Sequence, residues 1–266
     1  MSAWLHLFRK EFRLGLPAML FTILMYFVVL MTSSFFSFKS GHVIDAMFVV
    51  SLVFIFPHFF YLAFYLFISL QSERKKLHLW LSNPMPGYQL ILAKMASGFV
   101  AMTISLFIVC AVCYITYFVL GTKIPIQDWL SYTDVVKIGS FFILHIYLIA
   151  ISIAVWLLFF WMIYRLLASR LGIWVSVILT LILFGLWSYI ISKLQSTVLY
   201  TILTHWGKIS LVPFINNLDI STRHGIQIAP LTNTSYIFLG TYIFEALICL
   251  ILFFVSCWIL DKKIEV

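Results

Sequence analysis

Apolar residues gather in six long runs, 17–38, 46–70, 94–120, 138–164, 172–192 and 235–260, separated by shorter stretches where charge and proline collect. A hydrocarbon core about 30 Å thick takes about 20 helical residues to cross, and each run is at least that long. The pattern therefore predicts six membrane-spanning helices. Their connections are short except for 193–234, which leaves no room for a soluble domain, so residues 1–266 read as one transmembrane domain. Composition sharpens this: 64% of residues are hydrophobic and only 10% charged, with a mean hydropathy of +1.09, far from a soluble domain.

The charged residues then set an orientation. With six spans, the first residues, the second-to-third and fourth-to-fifth connections and the last residues share a side. That side holds Arg9, Lys10, Arg13, Arg74, Lys75, Lys76, Lys94, Arg165, Arg170, Lys262 and Lys263, eleven of the 17 basic residues. The positive-inside rule assigns it to the cytoplasm, in a multi-pass protein of the plasma (cell) membrane. The net charge of +8 is then a topology signal that also favours anionic lipid, and no nucleic acid is expected as a partner. Three basic residues precede the first run and no small-residue cleavage site follows it, so an uncleaved first helix is expected. Cys110, Cys113, Cys249 and Cys257 all fall within spans and read as packing residues; no metal site is expected.

Ahead of the first span, residues 1–16 alternate in a helical period. Trp4, Phe8, Phe12 and Leu16 recur every four residues, with His6, Arg9, Lys10 and Arg13 opposite, which predicts an amphipathic helix lying in the interface. Glu11 falls on the apolar side and breaks the pattern. A membrane anchor accounts for this helix, as does a surface for a partner.

The connection at 71–93 is the more distinctive segment. In QSERKKLHLWLSNPMPGYQLILAK, Ser72 can cap a helix whose Leu77, Trp80 and Leu81 share one face, and Asn83-Pro84 ends it. Pro86 and Gly87 then turn the chain into the third span. Such a bounded unit suits a docking helix. Here the sequence resembles ABC type-2 exporter permeases: Glu73, the basic residues, Leu79, Leu81, Ser82, Pro84 and Lys94 stand where that family has Glu, a basic and Leu-rich turn, Leu-Ser-x-Pro and a Lys at the foot of the next span. Lys75-Lys76-Leu77 replaces the family's usual acidic-then-Gly-Thr sequence.

The resemblance implies an all-α membrane protein of six spans, with an N-terminal interfacial helix (Trp4, Phe8, Arg9, Lys10, Phe12, Arg13), a cytoplasmic coupling helix between spans two and three, and an external re-entrant or surface helix before span six. It also implies that Glu73, Arg74, Lys75, Lys76, Leu77, Trp80, Leu81 and Pro84 dock an ATP-binding subunit. A Walker loop needs two glycines five positions apart, then Lys and Ser or Thr. No two of the eleven glycines lie closer than Gly87 and Gly98. The chain is thus expected to be no enzyme and to bind no cofactor, with ATP and Mg held by a partner ATPase in two copies. A second permease, identical or related, would complete the pathway.

Polar residues inside the spans are candidate pathway residues, because an unpaired charge there costs about 2.5–3.5 kcal/mol on insertion scales. Glu245, His145 and His58 qualify. Glu245 and His145 fall at similar depth, which allows either a helix-joining hydrogen bond between them or a pathway-lining Glu245. Pro57, beside His58, is expected to kink the second span and leave a carbonyl free toward a cavity. In the external connection, Val198, Leu199, Ile202, Leu203 and Trp206 form a helical stripe, predicting a short helix dipping into the outer leaflet. The chain's 27 Phe, many of them within the spans, suit export of amphipathic or toxic peptides, drugs or lipid-like compounds. A proton-coupled secondary carrier and a non-transporting membrane immunity protein are the alternative classes.

Overall fold

The computed structural model describes residues 3–73, 86–122, 132–210 and 236–262. The helices among them are α1 (Ala3–Phe38), α2 (Val43–Ile55), α3 (His58–Glu73), α4 (Gly87–Gly121), α5 (Tyr132–Leu171), α6 (Ile173–Gln195), the short α7 (Val198–Thr204) and α8 (Leu239–Lys262). Five are long and apolar enough to cross a membrane, and six crossings result when α2 and α3, bent 51° apart, count as one broken span. The molecule is a helical membrane protein.

The break falls at Pro57, where the proline lacks an N–H and crowds the preceding turn. Around it the backbone tightens, with Phe56 N bonding Val53 O at 3.3 Å and Phe59 N bonding Phe56 O at 3.1 Å. The expectation of a free carbonyl is not met: Val53 O, which Pro57 cannot bond, takes the Phe56 N–H, and the neighbouring Phe54 O accepts the His58 Nδ1–H at 3.0 Å. The kink's carbonyls are therefore closed by backbone tightening and by its own histidine. At the α5–α6 joint a single residue, Gly172, turns the chain with φ +82°, a value that disfavours any residue with a Cβ.

Two boundaries differ from the sequence expectation. The described part of the expected 1–16 helix, from Ala3 on, is not a separate interfacial helix: α1 runs unbroken through Pro17 for 36 residues, about 54 Å. Its first turns are held along α4 by Trp4 Nε1, which donates to Gln89 O at 3.3 Å, and by the Glu11 contacts described below. The 71–93 connection is also shorter than expected, since 71–73 complete α3 and 87–93 are the first turns of α4. A third element was not anticipated. Strands β1 (Lys208–Ser210) and β2 (Tyr236–Phe238) pair antiparallel, Ile209 opposite Ile237, just before α8.

Between helices in lipid there is little hydrophobic drive, so close packing and hydrogen bonds decide the arrangement. α4 lies against α1, α2 and α3, while α5 packs on α3, α6 and α8. Leu62, Leu66, Met102, Leu106, Ile146, Ala150 and Ala154 close the α3–α4–α5 core. At the end carrying both termini, Leu7, Leu70, Leu90, Leu158, Met162 and Leu260 join five helices in one cluster. α6 is peripheral: 6% of its most apolar stretch is buried, against 39% for α5.

Candidate functional site

The terminal end of the bundle is built around one ion pair. Lys94 sits two turns into α4 and Glu11 two turns into α1, and both are essentially fully buried. Lys94 Nζ donates to Glu11 Oε2 at 2.8 Å and to Ser69 Oγ on α3, also at 2.8 Å. Ser69 in turn donates to Glu11 Oε2 at 3.2 Å. Three helices thus share one closed triangle. A fourth group braces it: Tyr65 on α3 donates its hydroxyl to Glu11 O at 3.0 Å and lies 3.0 Å from Ser97 Oγ on α4.

Small residues let the helices come this close. Gly15 follows Glu11 by one turn on α1 and Gly98 follows Lys94 by one turn on α4, and Tyr65 fills the space between them. A Cβ on Gly15 would overlap the Tyr65 ring, and one on Gly98 would lie 2.6 Å from Tyr65 Cδ1. The irregular placement of Glu11 on the apolar side of α1 thereby has its explanation. It faces inward because a lysine waits there.

Among the residues predicted for the N-terminal helix, Trp4, Phe8 and Phe12 form a stacked row, with ring centroids 5.9 and 6.3 Å apart, on the half-buried side. Arg9, Lys10 and Arg13 are exposed on the opposite side. The amphipathic pattern holds although the separate helix does not. Of the docking residues, Glu73 ends α3, while Arg74, Lys75, Lys76, Leu77, Trp80, Leu81 and Pro84 lie outside the described residues. What the described residues do show is where that connection leaves and re-enters the bundle. On re-entry the Gly87 N–H donates to Asp261 Oδ1 at 2.9 Å, so the last turns of α8 cap the start of α4.

The three intramembrane candidates separate. His58 donates Nδ1–H to Phe54 and meets Ser105 Oγ of α4 through Nε2 at 3.1 Å, a buried joint between the kink and α4. His145 donates Nδ1–H to Phe141 O at 3.1 Å and takes the Tyr242 hydroxyl at Nε2. The expected His145–Glu245 bond is therefore replaced by His145–Tyr242: residue 242 precedes 245 by three on α8, just under one turn, so Tyr242 reaches the ring first. Glu245 instead lines a cleft of about 430 Å³ with Ser152 and Trp156 of α5 and Trp187 and Ser188 of α6. Sequence reading missed the partners Ser69, Tyr65 and Asp261. The available signal was Glu11 itself, an acid out of pattern, facing a basic residue at the foot of an apolar run.

No family model, curated protein or solved structure matches this chain.

Proposed function

We propose that the protein is the membrane-spanning subunit of an ATP-driven exporter, docking a separate ATP-binding subunit through the connection after α3 and forming half of a pathway completed by a second permease. The supporting observation is the way that connection is anchored. Lys94, the last residue of the motif, is locked to Glu11 and Ser69, and Gly87 is tied to Asp261. A push on residues 74–85 would thus reach α1, α3, α4 and α8 together, which a freely tethered loop could not do. In this reading the termini are cytoplasmic, ATP and Mg belong to the partner, and the cargo is amphipathic.

A carrier driven by protons would use a relay of titratable groups across the bundle. His58 and His145 are instead engaged with Ser105 and Tyr242 on separate helices, and neither bonds Glu245. This arrangement favours the exporter over the carrier.

The test is co-expression with a Walker-loop ATPase encoded beside the gene, followed by pull-down and mass measurement in nanodiscs. A four-chain particle with two permeases is expected. Trp80→Ala removes the largest group from the Leu77-Trp80-Leu81 face and is expected to release the ATPase and abolish transport-stimulated hydrolysis, leaving permease yield unchanged. Unchanged co-purification and hydrolysis with Trp80→Ala, or transport on a proton gradient with no ATPase, would overturn the proposal.

A further inference from the structure

Glu245 poses a physical problem. It stands six residues beyond Leu239, about 9 Å along the α8 axis, within a helix long and apolar enough to span the bilayer. The residue is exposed in the single chain, and its carboxylate makes no hydrogen bond or ion pair with any described residue. A charge left so at membrane depth is costly, and such residues mark sites where something else supplies the counter-charge.

The surroundings specify what that is. The cleft holding Glu245 is formed by α5, α6, α7 and α8, and at about 430 Å³ it falls within the size range of small-molecule sites. Among the described residues its walls carry no Lys, Arg or His, so Glu245 is the one charged group among them lining it. Trp156 and Trp187 stand with ring centroids 5.2 Å apart on one side, and Tyr200 packs edge-on against Phe244 at 5.4 Å on the other. Ser152 and Ser188 add hydroxyls. Aromatic faces attract cations through their quadrupoles, and more strongly where water is excluded. An anion would meet the carboxylate unopposed, and a neutral apolar molecule would leave it uncompensated. A doubly charged ligand would find one counter-charge only.

We infer that this cleft binds a hydrophobic organic monocation, an ammonium-type head on an apolar body, with Glu245 as the counter-charge and the Trp156–Trp187 pair as the aromatic wall. All the described residues lining the site belong to this one chain and none lies in the connection proposed to dock the ATPase. It therefore stands or falls separately from the exporter proposal.

The experiment uses the purified full chain, without any ATPase, in nanodiscs of phosphatidylcholine and phosphatidylglycerol. Two radiolabelled probes are compared, a phenylalkyl-trimethylammonium and its uncharged tert-butyl isostere, with protein-free nanodiscs subtracted. Saturable binding is expected for the cation, at least about tenfold tighter than for the isostere, the scale of a desolvated charge contact. Glu245→Gln is expected to erase that contrast. Ser188→Trp, which fills the cleft without touching the carboxylate, is expected to abolish saturable binding of the cation. Equal affinity for the two probes, absence of saturable binding to the wild type, or a contrast that survives Glu245→Gln would overturn the inference. So would full binding in Ser188→Trp, which would locate the cation elsewhere. If Glu245→Gln fails to fold, the probe contrast on the wild type and the Ser188→Trp result decide. A second copy of the chain, or a lipid amine, covering Glu245 would leave the soluble cation unbound and so count against it.

Discussion

The α1–α3–α4 corner and the α6 side of the molecule are made of equally apolar helices, yet they are built on opposite principles. At the corner, glycines bring backbones together and a lysine, a glutamate, a serine and a tyrosine bond one another away from water and lipid, with only Glu11 Oε1 left without a hydrogen bond among the described residues. At α6 the side chains are as greasy, but they face outward: Leu181 is 65% and Trp174 83% exposed in the single chain. Hydropathy does not distinguish the two, because lipid solvates an apolar side chain as well as another helix does. Small residues and polar partners do.

That contrast can be broken first at the ion pair. Glu11→Gln leaves Lys94 buried without its counter-charge, and a loss of about 3–5 kcal/mol is expected, read as a large drop in thermal unfolding temperature in detergent. The double variant Glu11→Leu with Lys94→Met removes both charges and is expected to recover most of the loss. If the double variant is as unstable as the single one, the corner is held by shape rather than by charge pairing.

A smaller effect is expected at the glycine contact. Gly98→Ala forces its new methyl against Tyr65 and Leu62, whose nearest atoms lie 2.6 and 2.9 Å from it, and should cost about 1–3 kcal/mol in the same assay. Both neighbours sit on α3, so that helix must shift as a unit. A neutral result would show that α3 yields easily.

The smallest effect on the folded chain is expected on α6. Leu181→Ala or Ile178→Ala, both on exposed positions, should change unfolding by no more than about 0.5 kcal/mol. A large loss from either would mean that α6 is packed more tightly than its exposure indicates, and the comparison between the two regions would fail.

How much of this was readable beforehand differs by region. The spans were legible because a 20-residue apolar run admits few structures in a bilayer, where every backbone group must be bonded within the segment. The kink at Pro57 was legible for a covalent reason, the missing N–H. Less visible was what closes it, since His58 reaches Phe54 on its own strand of chain but Ser105 across 47 residues. The hairpin before α8 was invisible: Lys208–Ser210 and Tyr236–Phe238 are three residues each, too short to show a period, and they form only as a pair.

By itself, then, the sequence determined that the chain is a multi-span helical membrane protein, which stretches form its long helices, and which face of α1 carries charge; it did not set the ends, since α1 starts at Ala3 and α4 at Gly87, well ahead of their apolar runs. Those properties depend on local composition and on a solvent that cannot bond to the backbone. Only the tertiary structure decided which polar residues meet. Glu11 and Lys94 are 83 positions apart, and nothing in their local sequence encodes that α1 and α4 run side by side in the register that joins them. His145 and Glu245 appeared matched by depth, but depth is one coordinate. The rotation of α8 about its axis, set by packing on α5, gives His145 to Tyr242 and leaves Glu245 facing the cleft.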